Sequence, residues 1–153
     1  MKERVVDALR DSLSTELAAL ERAAAATRDE VGNDEARQEG KYDTRSTEAS
    51  YLARGQAWRV VELRRLSVWF QTLQPRPMDT VAIGALVHLD GPRRERVFLA
   101  PEGGARVVVD GQPVRVISPR SPMGTALAGL EAGDGFRVDT PRGPVEYEVL
   151  SVC

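Results

Sequence analysis

The chain has 153 residues, 42% of them hydrophobic and 29% charged, with a net charge of −2, which leaves room for one ordinary domain or a small domain with a helical extension. That balance lacks the basic excess of a free-standing nucleic-acid binder, so a protein partner is expected and direct sequence-specific nucleic-acid binding is not. No run approaches the roughly 20 apolar residues that cross a bilayer, and Met1 to Asp11 mixes charges with Val5, Val6 and Leu9, so no membrane association and a cytoplasmic location are expected.

The first half is proline-free to Leu73 and dominated by Ala, Leu, Glu and Arg. Val6, Leu9, Leu13, Leu17, Leu20, Ala24 and Val31 recur at helical spacing, which gives a helix of about 28 residues one apolar face. Leu63, Leu66, Phe70 and Leu73 repeat the pattern, with Leu52 and Trp58 extending the surface. Two such stripes are best buried against each other, which predicts an antiparallel helical hairpin (coiled coil) over residues 1–74. Trp58, Trp69 and Phe70 read as packing residues, and a dimeric coiled coil is the competing arrangement.

Between the helices, Asp29, Glu30, Asp34, Glu35, Glu39, Asp43 and Glu48 face only Arg37, Lys41 and Arg45. Negative charge thus collects at the reversal, which Gly40 to Arg45 is expected to hold because glycine reaches conformations barred to other residues. Thr44 or Ser46 can cap the second helix, and Glu48 suits its positive N-terminal end. The same carboxylates, Asp43 and Glu48, are hard oxygen ligands suited to Mg²⁺. Carried into another enzyme's active site, they can hold a shared metal and help position water for phosphodiester hydrolysis.

Gln74-Pro75-Arg76-Pro77 breaks the helical pattern, and residues 75–79 read as a linker to a second unit over 80–153. There, Val81 to Leu89, Glu95 to Ala100, Ala105 to Val109 and Pro113 to Ile117 read as strands, with turns at Asp90-Gly91-Pro92, Glu102-Gly103-Gly104 and Asp110-Gly111. In the run Ser121 to Asp134, Ser121 is placed as N-cap, Pro122 at the first helical position and Gly129 as a left-handed C-terminal residue. Phe136 to Asp139 and Val145 to Val152 complete a small, mostly antiparallel α+β domain.

Cys153 is the single cysteine and His88 the single histidine, so an internal disulfide is excluded and a thiolate or imidazole zinc site is not expected. His88 reads as a strand histidine. A Cys153/His88 nucleophilic pair is the minor alternative, disfavoured because a terminal residue is seldom held in fixed geometry.

The connector Ser121-Pro122-Met123-Gly124, its small helix and Gly133-Asp134 ahead of a final hairpin resemble the signature of the bacterial Gre transcript-cleavage factors. The order of helical hairpin and β-rich domain is similar to that family over nearly the whole chain. The resemblance implies an FKBP-like second domain, bacterial RNA polymerase as partner, a hairpin that enters its secondary channel, and modulation of transcription elongation by a monomer. It implies no enzyme activity and no cofactor of the chain's own, only Mg²⁺ shared with the polymerase through tip residues Asp43 and Glu48. The family tip reads Gly-Asp-Leu-x-Glu-Asn-Ala-Glu-Tyr; aligning Tyr51 with its tyrosine puts Thr44 and Thr47 where the two metal-stabilising acids belong. Asp43 and Glu48 are each displaced by one residue, a rotation of about 100° on a helix. That departure weakens the case for cleavage stimulation and touches polymerase binding less. Two other classes are a stand-alone peptidyl-prolyl isomerase, for which Phe98, Phe136 and Tyr147 are few aromatics to line a pocket, and a coiled-coil adaptor.

Overall fold

The computed structural model describes the backbone of residues 1–37 and 44–153, and side chains outside residues 27, 28 and 30–53. Helix α1 spans Lys2–Arg37 and α2 spans Thr44–Thr72. They are followed by β1 (Leu86–Asp90), β2 (Glu95–Leu99), β3 (Arg106–Val109), β4 (Gln112–Ile117), α3 (Pro122–Leu127), β5 (Gly135–Thr140) and β6 (Gly143–Val152). The first helix is longer than its apolar stripe predicts, at 36 residues. The reversal expected at residues 40–45 falls largely outside the described residues.

Two compact units emerge, Leu13–Val68 and the combination of Met1–Ser12 with Trp69–Cys153. In the first, Leu13, Ala24, Val60, Leu63 and Leu66 are buried. Arg59 reaches Glu16 at 3.5 Å and Arg64 reaches Glu21 at 2.6 Å, so the helices are also tied along their exposed margins. Trp58, expected to pack, is 62% exposed. It lies five residues before Leu63, about 140° round the helix from the buried stripe, so helical geometry turns it outward. Val60 takes a buried place that the sequence pattern had not assigned.

In the other unit, the start of α1 lies beside the end of α2, which makes the helices antiparallel. Arg10 donates from Nε to the Phe70 carbonyl at 2.9 Å and from Nη2 to the Leu73 carbonyl at 2.6 Å. These are carbonyls that the end of α2 leaves without helical partners, and a cation there also complements the helix dipole. Trp69, Phe70 and Phe98 form an aromatic cluster with centroid separations of 4.9 Å, 6.4 Å and 5.4 Å. Phe98 belongs to β2, so the end of α2 covers one face of the sheet.

The six strands run in the order β3-β4-β2-β1-β6-β5. Every neighbouring pair is antiparallel except β2 with β4, because the β3–β4 hairpin folds back and inserts β4 beside β2. Asp110 and Gly111 both take positive φ, 53° and 71°, the twist that a two-residue hairpin turn requires. On the sheet face away from Phe98, Val87, Leu89, Val97, Leu99, Ile117 and Val149 form a core with Leu127 of α3.

The strand expected from Val81 starts only at Leu86. Gly84 takes φ +97° and the Ala85 amide donates to the Ala82 carbonyl at 3.0 Å, so residues 82–85 turn. Val81 is occupied elsewhere: its amide donates to the Leu130 carbonyl and its carbonyl accepts from Gly129, both at 2.8 Å. Tertiary bonds to the connector displace the local strand preference.

Candidate functional site

The most fully specified feature among the described residues is the connector from Ser118 to Asp134. Ser121 is in extended conformation, φ −68° and ψ 154°, and its Oγ accepts from the Gly124 amide at 3.0 Å. The same hydroxyl donates to the Ser118 carbonyl at 2.7 Å. One side chain therefore satisfies an orphan helix donor and anchors the preceding loop. Pro122 occupies the first turn, where its missing N–H costs nothing. Gly129 follows at φ +83°.

Gly124 is fixed by close approach. A Cβ there would stand 1.9 Å from the Ser118 carbonyl oxygen, so no other residue fits without moving the loop. At the far end, the Gly133 amide donates to the Val149 carbonyl at 2.7 Å, and Val149 donates to the Asp134 carbonyl at 2.8 Å. The Asp134 carboxylate accepts from the Glu131 amide at 2.8 Å. Each expected helix-start and turn role of Ser121, Pro122, Gly129, Gly133 and Asp134 is met. Pro122 and Arg120 stay exposed beside this rigid frame, and Arg120 approaches Glu102 at 3.4 Å.

Sequence reasoning missed a polar arrangement on the sheet. Arg115 of β4 meets Glu95 of β2 at 2.6 Å, with Glu95 only 15% exposed. Tyr147 stacks on Phe136 at 5.2 Å, and burial, with the Glu95 charge and a hydrogen bond to it, raises its phenol pKa. Only strand register brings these residues together: Glu95 and Arg115 lie on strands that a local sequence pattern cannot pair.

Asp43 lies outside the described residues, and Glu48 is placed only as part of the α2 backbone. His88 and Cys153 are not brought together. In the β1–β6 ladder His88 pairs with Ser151, while Cys153 Sγ lies 3.6 Å from the Leu86 carbonyl. The His88 Nε2 is buried and has no hydrogen-bond partner among the described residues, and burial, reinforced by Arg96, lowers its pKa. Among the described residues no group of three His, Cys, Asp or Glu side chains is arranged to hold a metal, and no helix is long and apolar enough to cross a membrane.

Residues 76–153 match the family model for the C-terminal part of the transcription elongation factors GreA/GreB. This chain belongs to the GreA/GreB family. The transcription inhibitor protein Gfh1 of Thermus aquaticus is 35% identical over 75 residues, 48% of this chain and 47% of that protein. GreA of Nitratidesulfovibrio vulgaris is 35% identical over 78 residues, 48% of this chain and 44% of that protein. These matches span about half the length of the curated relatives. A longer match is to the uncharacterized protein Mb3817 of Mycobacterium bovis, 31% identical over 153 residues, covering 97% of this chain and 92% of that one. The solved structure of Thermus aquaticus Gfh1 aligns over 95% of this chain and 94% of its own, with 22% identity and a TM-score of 0.39. The connector from Ser118 to Asp134 lies inside the matched residues, and the segment between the two helices lies outside them.

Proposed function

We propose that this GreA/GreB-family protein binds bacterial RNA polymerase through its secondary channel and modulates transcription elongation. The observation that carries the reading is the family match over residues 76–153, preceded by two long antiparallel helices. The relatives include both Gfh1, a transcription inhibitor, and GreA, a transcription elongation factor, each 35% identical over about half of this chain. Action without stimulation of transcript cleavage is favoured by chemistry at the tip: aligned on Tyr51, the family resemblance puts Thr44 and Thr47 where the two acids belong, and a hydroxyl is a poorer ligand for Mg²⁺ than a carboxylate. In this reading the factor acts in the cytoplasm as a monomer, has no catalytic centre of its own and brings at most Asp43 and Glu48 to a metal held by the polymerase.

Purified core polymerase tests binding, with a cleavage-competent Gre factor as competitor. Competitive, saturable binding at micromolar concentration is the expected result; no binding there removes the proposal. Backtracked elongation complexes test the chemistry. RNA shortening should not exceed the factor-free rate, and acceleration that disappears in Asp43→Ala or Glu48→Ala would instead assign those carboxylates to the shared metal.

A further inference from the structure

Helix α2 is apolar on two opposite sides. Val60, Leu63 and Leu66 are buried, whereas Trp58, Val61 and Val68 are 62%, 36% and 57% exposed. With about 100° of rotation per residue, Arg54, Trp58, Val61, Arg65 and Val68 fall within a stripe about 80° wide, roughly opposite the buried one. Their steps of four, three, four and three are the spacing of a helix-to-helix seam. Seven large apolar side chains are exposed among the described residues, and three of them stand on this one stripe. That clustering separates it from the singly scattered apolar residues of an ordinary surface. The stripe is also positive. From residue 54 to 72 the helix carries four arginines against one acid, Glu62. Arg59 and Arg64 meet Glu16 and Glu21 of α1. Arg65 is exposed between Val61 and Val68, and no carboxylate among the described residues comes within ion-pair distance of it.

We infer that this stripe docks a partner protein through an amphipathic helix whose apolar seam is edged by carboxylates. The partner's apolar side chains cover Trp58, Val61 and Val68, and its carboxylates pair with Arg65. Tryptophan and arginine are the residue types that most often dominate a protein interface, and here both stand on one stripe. The spacing selects a helix, since a partner strand has no matching repeat. It disfavours a nucleic acid, because Val61 and Val68 offer a base neither charge nor a ring to stack on. Charge selects an acidic partner over a second copy of this chain, which would bring another Arg65 into the same seam. The stripe lies outside residues 76–153, which carry the family match, so it is tested apart from polymerase binding.

The test is a titration of the full chain with two synthetic helical peptides of about three heptads, followed by the Trp58 indole chemical shift. Both peptides have leucine at the seam positions; one has glutamate and the other lysine at every flanking position, so neither pairs with itself. The glutamate peptide should shift Trp58 saturably, and the lysine peptide should bind about tenfold more weakly. Arg65→Glu should reverse that preference, and Trp58→Ala should weaken the glutamate peptide about tenfold. Trp58 and Arg65 are exposed, so urea midpoints close to the parent's will separate lost binding from lost fold. Absence of saturable shifts, equal binding of the two peptides, or an unchanged preference in Arg65→Glu would overturn the assignment. Trp58 shifts that follow the concentration of the chain alone would give the stripe to a second copy instead, and tighter binding of a single-stranded RNA oligomer than of the glutamate peptide would give it to nucleic acid.

Discussion

Replacing Gly124 by alanine sets two opposed effects against each other, and the structure decides which wins. Gly124 lies within α3, where alanine gains about 1 kcal/mol of helix propensity over glycine. Against this, the new Cβ would lie 1.9 Å from the Ser118 carbonyl oxygen, where real contacts essentially never fall under 3.0 Å. The loop or the helix start must therefore move by about 1 Å. That movement strains packing by about 1–3 kcal/mol and loosens the Ser121 cap, worth about 1 kcal/mol, because its Oγ bonds both Ser118 and Gly124. The net expectation is a loss of about 1–3 kcal/mol, measured as a lower urea midpoint with an unchanged slope. A variant as stable as the parent, or more stable, would refute the argument that close approach fixes this glycine.

Gly55→Ala provides the opposite case: it sits inside α2, nothing among the described residues lies within 4 Å of its added Cβ, and a gain of about 0.5–1 kcal/mol should appear in the same urea experiment. Arg115→Met should cost about 1–2 kcal/mol by leaving the largely buried Glu95 carboxylate unpaired, a figure reduced for the partial exposure of Arg115; Glu95→Gln in the same chain should recover much of the loss, as a double-mutant cycle would record. Since burial and Arg96 lower the His88 pKa in the folded chain, the unfolded chain binds the proton more readily. That contribution to stability is complete above about pH 6.5 and declines as pH falls toward the lower folded value. His88→Gln should remove this component of the slope when urea midpoints are compared across that window.

The helical first half, the break at Pro75, the Asp110-Gly111 hairpin and the whole Ser121 to Asp134 connector were legible in the sequence. In each case the signal is local: an apolar repeat, a missing backbone donor, or residues suited to caps and positive φ dictate structure within a few positions. The family resemblance carried by the connector was readable for the same reason. Local signals failed where distant groups competed. Val81 gave up its strand to bond Gly129 and Leu130, and Trp58 was counted with an apolar surface that helical geometry turned away from it.

What only the tertiary structure decided is which distant residues meet. Arg10 and the carbonyls ending α2, Glu95 and Arg115, and Lys2 and the Arg76 carbonyl are separated by 20 to 74 positions. Their meeting depends on strand order and on where the helix ends settle. A capping residue acts on the next turn of its own chain segment, so sequence suffices to place it; an ion pair or a cavity exists only after remote segments have packed, so its chemistry becomes visible only in the fold.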